Sequence, residues 1–432
     1  MSKVTVIRLY KSLKSRAKCF LGEGVVPYVC WCRRINRVKT TQRLCAMTFD
    51  DGPTKVANGA PLTSKLIDVL EKYGAHGTFD IIGTTKNNYP DTEGEIGTPA
   101  WSGVSYDHYP SFKKDDDAGA LACPELVERI LAGKHEITNH TWSHILFGKK
   151  SIIYSKRHHL SSFEKASEDV KKLHDFMQDQ YGYTISMSRP PHYVDRITKN
   201  LTSYDLYAYL GYQYLGASFD GAGWLPLANY DEEVNAMVAP LKRVLGNNPD
   251  ELCGQIIFQK DGLNMALRAP VVDGLEKQLA VLQEKQYKVI NVSELVNAFP
   301  FTDVGDDDPD FAVFKGLLDD HAILYTDNTL RPDKPMTLGE LAAFLAPREA
   351  TVDKRIEQIL QGVKKTNKIP VAHVYSGAWL FMKERGYRAY ARFHPNKKLT
   401  LEHFSDLGEF FEVSKLKNVP LTRRNILKAY KK

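Results

Sequence analysis

From residue 44 to 298, short apolar runs alternate with stretches in which apolar residues return every three or four positions. Residues 44–49 form a largely apolar run that stops at the turn Asp50-Asp51-Gly52-Pro53, and the run predicts a strand. Residues 62–72 carry Leu62, Leu66, Ile67, Val69 and Leu70 at helical spacing, and Gly74 follows where a helix ends. Residues 78–82 predict the next strand, and 125–132 a helix closed by Gly133. The pattern returns later: 256–258 is apolar, Asp261-Gly262 turns the chain, 272–285 is amphipathic and 287–292 reads as a strand. Strand, loop and helix repeating over about 250 residues predict an α/β barrel or a related parallel fold. In such folds the active site lies in loops at the C-terminal strand ends, where Asp50 and Asp51 stand.

Two regions depart from this rhythm. Residues 84–124 are long, polar and rich in Gly and Asp, with Trp101, Tyr106, His108 and Tyr109 interspersed. The density of aromatics favours a lid or a substrate wall over disorder. Beyond Phe299, Arg331-Pro332-Asp333-Lys334-Pro335-Met336-Thr337-Leu338 resembles His394-Pro395-Asn396-Lys397-Lys398-Leu399-Thr400-Leu401, 63 residues on. Thr337 is placed to cap a helix with Glu340 completing the capping box, and Thr400 to cap a second. A small helical repeat domain is expected over 300–432.

The chain is long enough for one large domain and one or two small ones, and its 43% hydrophobic content suits a sizeable core. The net charge of +6 is unevenly placed: residues 1–43 hold eleven Lys and Arg against Glu23, so they carry +10 and the remainder −4. The basic excess is therefore an N-terminal extension, a solvated arm more than a nucleic-acid-binding face. Lys, Arg and Ser interrupt the apolar residues of 4–21, so no secretory h-region is read there, and no run reaches the roughly 18 residues of a transmembrane helix. An amphipathic surface helix is the alternative for that stretch. Cys30-Trp31-Cys32 lacks the zinc-knuckle spacing, and the six cysteines read as reduced and structural.

The chemistry concentrates in two motifs. In Thr48-Phe49-Asp50-Asp51-Gly52-Pro53, adjacent carboxylates at a strand end let one ligate a metal while the other takes a proton from bound water. Alone, this would be a plain turn. His140-Thr141-Trp142-Ser143-His144 adds two imidazoles at i and i+4, which on a helical turn share a face. Together Asp51, His140 and His144 supply three ligands with open positions, as a catalytic metal requires.

These motifs, with Ser188-Arg189-Pro190-Pro191, resemble the first three motifs of the polysaccharide deacetylases, carbohydrate esterase family 4, over roughly residues 43–298. The resemblance implies a distorted (β/α)7 barrel and hydrolysis of N-acetyl or O-acetyl groups on a sugar polymer. It makes Asp50 the base, Asp51, His140 and His144 the ligands of Zn2+ (or Co2+ or Ni2+), and Arg189 the group that orients and ionises Asp50. His192 and Tyr193 would line the groove, and the Tyr193 backbone amide would help hold the oxyanion. Trp101, Tyr106, Tyr109 and Trp224 would stack on sugar rings.

The chain also departs from the family pattern. Ser218-Phe219-Asp220-Gly221-Ala222-Gly223-Trp224 keeps an Asp and a Trp of the fourth motif, and Asp220 is expected to hold Arg189. Lys260 stands where the family has a histidine that protonates the leaving amine. Three readings stay open: Lys260 is the acid once desolvated, Lys260 stabilises the oxyanion while His192 is the acid, or catalysis is lost. Asp80 sits where the family is apolar, and a buried acid needs a partner, expected to be Lys260 or Arg189. Residues 301–345, opening with Phe301-Thr302-Asp303-Val304, resemble an S-layer homology module, which implies attachment to a cell-wall polymer.

The expected layout is an N-terminal extension (1–43), a deacetylase-like domain (44–299, with 84–124 as an insert) and an S-layer-homology-like domain (300–432). The expected partner is a carbohydrate polymer or oligosaccharide such as peptidoglycan or chitin, with no nucleic acid. A carbohydrate-binding protein of impaired activity and an amidase acting on a small non-sugar substrate are the alternatives. The resemblances point to the cell surface, whereas the missing signal points to the cytoplasm.

Overall fold

A computed structural model describes residues 29–57, 60–85, 118–148, 159–264 and 268–431. The chain divides into two compact units. The first holds Ile35–Leu206 and Tyr214–Phe299, and the second Tyr207–Gln213, Pro300–Lys432 and the described residues up to Arg34.

The first unit is built on a parallel sheet. Its strands are β1 (Leu44–Asp50), β2 (Thr78–Ile81), β3 (Glu136–Asn139), β4 (Met187–Ser188), β5 (Gln213–Leu215), β6 (Phe219–Asp220), β7 (Ile256–Lys260) and β8 (Lys288–Val289). They run in the order β5-β4-β3-β2-β1-β7-β6, with β8 beside the start of β1. Every residue of β1 after Leu44 is buried, as expected for a central strand covered on both faces. The expected (β/α)7 barrel is realised as a curled, open half-barrel. Helices α1 (Thr63–Lys72), α2 (Pro124–Ala132), α3 (Phe163–Tyr181), α4 (Tyr230–Asn247), α5 (Val271–Glu284) and α6 (Val292–Ala298) surround it. α1 buries Leu66, Ile67, Val69 and Leu70, the residues whose spacing announced it. Residues 287–292 hold less strand than expected: β8 is two residues long, and Asn291 then caps α6 in a box with Glu294.

Register matters most for the site. Across β7, β1, β2 and β3, the residues Lys260, Asp50, Asp80 and Thr138 stand side by side. In-register parallel strands present such neighbours on the same face. One polar row thus crosses four strands at their C-terminal ends.

The second unit packs Phe301, Phe314, Phe344, Trp379, Tyr390 and Phe411 into one core. Thr337 caps α7 (Leu338–Leu345), and the Thr337–Glu340 capping box is complete. The two similar segments pair with each other: Thr337 and Lys398 form an antiparallel bridge, and the Leu338 amide donates to the Lys397 carbonyl at 2.9 Å. Thr400 starts a single 3-10 turn, Leu401–Phe404, where a longer helix was expected. Among the described residues no helix is long and apolar enough to cross a membrane.

Candidate active site

The end of β1 places two acids differently. Asp50 is the last strand residue, and its buried carboxylate accepts from Arg189 Nη1. Asp51 follows in the left-handed region, with φ at 80°, which turns its side chain away from that of its neighbour. Gly52 is required next, because a Cβ there would collide with the Asp261 carboxylate.

The two histidines sit on the loop after β3. The helical turn expected for residues 140–144 is not formed. Thr141 and His144 instead take left-handed backbones, with φ of 75° and 56°. Asn139 Oδ1 accepts the Thr141 amide at 2.8 Å, Thr141 Oγ1 accepts the His144 amide at 2.9 Å, and the Ser143 hydroxyl donates to Asp169 at 2.6 Å. Local side-chain bonds therefore do the bending that a helix would have done. Gly83 lies under the Trp142 ring and leaves no room for a Cβ.

The result is a buried cluster. His140 Nε2 lies 3.2 Å and His144 Nε2 3.1 Å from Asp51 Oδ1. All three residues are buried, and their ligand atoms lie within 4.8 Å of one another. Ligands at about 2.1 Å from a tetrahedral metal are about 3.4 Å apart, so this spacing suits one ion with positions left for water and substrate. Two imidazoles and a carboxylate suit a borderline divalent metal better than Mg2+ or Ca2+.

The electrostatics fit a cation as well. Burial lowers His144 to about 4, so its imidazole is neutral with a lone pair to offer. Burial also opposes the charged form of His140, but Asp80 and Asp50 outweigh it and raise that group to about 10. His140 thus stands in as the positive charge that a metal would displace. Burial pushes Asp50 up, against the pull of the Arg189 guanidinium. Asp261 is likewise pushed up to about 7 by burial, although Thr63 Oγ1 donates to it at 2.7 Å.

Several expectations are corrected. Asp80 pairs with neither Lys260 nor Arg189. Its Oδ2 lies 2.8 Å from His140 Nδ1, and Thr138 Oγ1 donates to its Oδ1 at 2.6 Å. Lys260 Nζ is bonded instead to Asp51 Oδ2. Asp220 does not hold Arg189. It accepts from the Trp224 indole at 3.0 Å and from the Ala222 amide at 2.9 Å. Arg189 is fixed by Asp50, Thr48 Oγ1 and the carbonyls of Leu215 and Gly216, so its donors are already committed. The Tyr193 amide donates to the Pro190 carbonyl at 2.9 Å, which removes it as an oxyanion donor.

His192 and Tyr193 are half-buried and both left-handed, with φ of 53° and 56°. The His192 ring lies 5.4 Å from that of His144, and the Tyr193 ring covers the Arg189 guanidinium at 5.5 Å. Trp101, Tyr106 and Tyr109 lie outside the described residues. Sequence reasoning missed Asp261, which was read as part of a turn, and Asp169, which gave no signal.

Residues 37–215 match the family model described as polysaccharide deacetylase. The peptidoglycan-N-acetylmuramic acid deacetylase PdaC of Bacillus subtilis is 24% identical over 155 residues, covering 36% of this chain and 22% of that protein. The peptidoglycan-N-acetylglucosamine deacetylase PgdA of Listeria monocytogenes is 21% identical over 261 residues, covering 60% of this chain and 40% of that one. This chain thus spans less than half the length of these relatives. The crystal structure of the Bc1960 peptidoglycan N-acetylglucosamine deacetylase is 20% identical, covering 61% of this chain and 92% of that one, with a TM-score of 0.42. The family match ends short of residues 300–432. The matched stretch contains Asp50, Asp51, His140, His144 and Arg189.

Proposed function

We propose that the first unit is a divalent-metal-dependent hydrolase that removes acetyl groups, chiefly N-acetyl, from a carbohydrate of the peptidoglycan or chitin type. The observation that carries this reading is the convergence of Asp51, His140 and His144 beside the Arg189-bound carboxylate of Asp50. The sugar class is supported by the activities of the peptidoglycan deacetylases that this chain resembles. A bound divalent ion, Zn2+ being the best fit to the donor set, would acidify water and polarise the acetyl carbonyl.

The chain's own residues would do the rest. Asp50 keeps one oxygen on Arg189, while its Oδ2 lies 4.0 Å from His140 Nε2, on the ligand side. That oxygen would take the proton from water. Lys260 is tied to Asp51, so His192, half-buried beside His144, is the better placed donor to the leaving amine. Lys260 would then act by charge. Tyr193 and Trp224 would wall the sugar site. The resemblance of residues 301–345 to S-layer homology modules supports attachment of the second unit to a wall polymer.

Acetate release from N-acetylglucosamine oligomers and peptidoglycan fragments tests this. Release should stop with a chelator, return with Zn2+ or Co2+, and be lost in Asp50→Asn. One observation favours a second reading, a carbohydrate-binding protein of impaired catalysis: the Lys260 ammonium already occupies an oxygen of Asp51. No release by metal-loaded protein across the panel would support that second reading.

A further inference from the structure

Asp80 is fully buried at the centre of the polar row, next to the cluster but outside its ligand set. Its Oδ2 and the Arg189 carbonyl, at 2.8 and 2.9 Å, both face His140 Nδ1. Both neighbours are acceptors, so Nδ1 keeps its proton, and it is the Nε2 proton, facing Asp51, that a cation would displace. Thr138, opposite Asp80 in register, fixes the other oxygen through its hydroxyl. Thr138 thus holds one oxygen of the carboxylate by a hydrogen bond, and the other faces the ring as an ion-pair partner.

We propose that Asp80 is a positioning residue for the cation site: it fixes the tautomer and aim of His140, and its charge makes that imidazole a stronger ligand. This rests on the reading of Asp51, His140 and His144 as the cation site. A carboxylate behind a ligand histidine orients the ring and raises its basicity, and such partners typically contribute 10–100-fold in metal affinity.

The same residues allow a rival. Asp50, Asp80 and His140 also place ligand atoms within 4.8 Å of one another, as a second ion would need. In that group Arg189 already takes one oxygen of Asp50, and Thr138 one oxygen of Asp80. A neutral imidazole has a single lone pair, and at His140 the first site uses it. The geometry points to support for one ion rather than to two.

The test titrates the full, metal-stripped chain with Zn2+ against a chromophoric chelator, beside Asp80→Asn. Asparagine keeps the shape and an acceptor for Nδ1–H but removes the charge. The variant should bind about 10–100-fold more weakly. The visible absorption of bound Co2+ should also change, which a purely structural role would not produce. Thr138→Val, which frees one oxygen of Asp80, should weaken binding several-fold in the same direction, and it decides the matter if Asp80→Asn does not fold. Parent-like affinity in the folded variant overturns the inference alone. So does a parent that binds two equivalents when Asp80→Asn binds one. A parent that binds no better than Asp51→Ala overturns the cation-site reading itself, and the inference with it.

Discussion

Lys260→Met removes the ammonium from the carboxylate that also faces both imidazoles. Methionine keeps an unbranched chain of similar reach, so packing should change little. The Lys260 and Asp51 side chains are only 10% and 8% exposed, so their charges are poorly screened. Deleting one partner of such a buried pair costs about 3–5 kcal/mol, because the other charge stays behind. At roughly 2–4 °C per kcal/mol, the metal-free variant should melt about 6–20 °C below the parent. With metal bound, the charge on Asp51 is compensated again and most of that deficit should vanish. Metal binding in the parent must also weaken the bond from Lys260, and a hydrogen bond between charged groups contributes about 1.5–3 kcal/mol. The variant is spared that loss and should bind Zn2+ about 10–100-fold more tightly. Chelator competition gives the affinity, and thermal scans with and without metal give the stabilities. Affinity equal to or below that of the parent, together with an unchanged metal-free melting temperature, would refute the competition between Lys260 and the metal.

Asp261→Asn should stabilise the metal-free protein more at pH 8 than at pH 4. The folded carboxyl titrates near 7 against an ordinary value of 3.8, so the native state holds a proton that the unfolded chain releases, and stability is lost as pH rises through that window. Thermal melts across pH check this, and a difference from the parent that does not depend on pH contradicts it. Arg189→Lys should abolish acetate release despite the conserved charge, because one ammonium cannot replace a fork that reaches Asp50, Thr48, Leu215 and Gly216 at once. Gly83→Ala should push the Trp142 ring and the histidine loop out of place, costing metal affinity at least tenfold while the far-UV spectrum stays that of the parent. Unchanged Zn2+ affinity would contradict that.

What the sequence disclosed depended on whether the cause was local. β1 was legible because a central parallel strand must be apolar nearly throughout, and the acids at its end broke the run abruptly. α1 was legible because one apolar stripe meets the sheet. α4 was not, since Pro240 lies in its interior and counts against a helix. The histidines were found by residue type and spacing, but the spacing suggested the wrong backbone: i and i+4 matches a helical turn, whereas left-handed residues at Thr141 and His144 bring the rings together here. The partners of Asp80, Lys260 and Asp220 were beyond reach because they follow from strand register and from donors committed elsewhere. Asp80 faces Thr138 and His140 only once β2 and β3 are aligned. Asp261 looked like a turn residue because its burial beneath Gly52 joins segments about 200 positions apart.

The three-ligand site is tested most directly by metal content. The full chain, loaded with Zn2+ and dialysed against metal-free buffer, should keep about one equivalent, and Asp51→Ala and His140→Ala should each keep none. A folded variant that still holds stoichiometric metal would show that these side chains do not bind it.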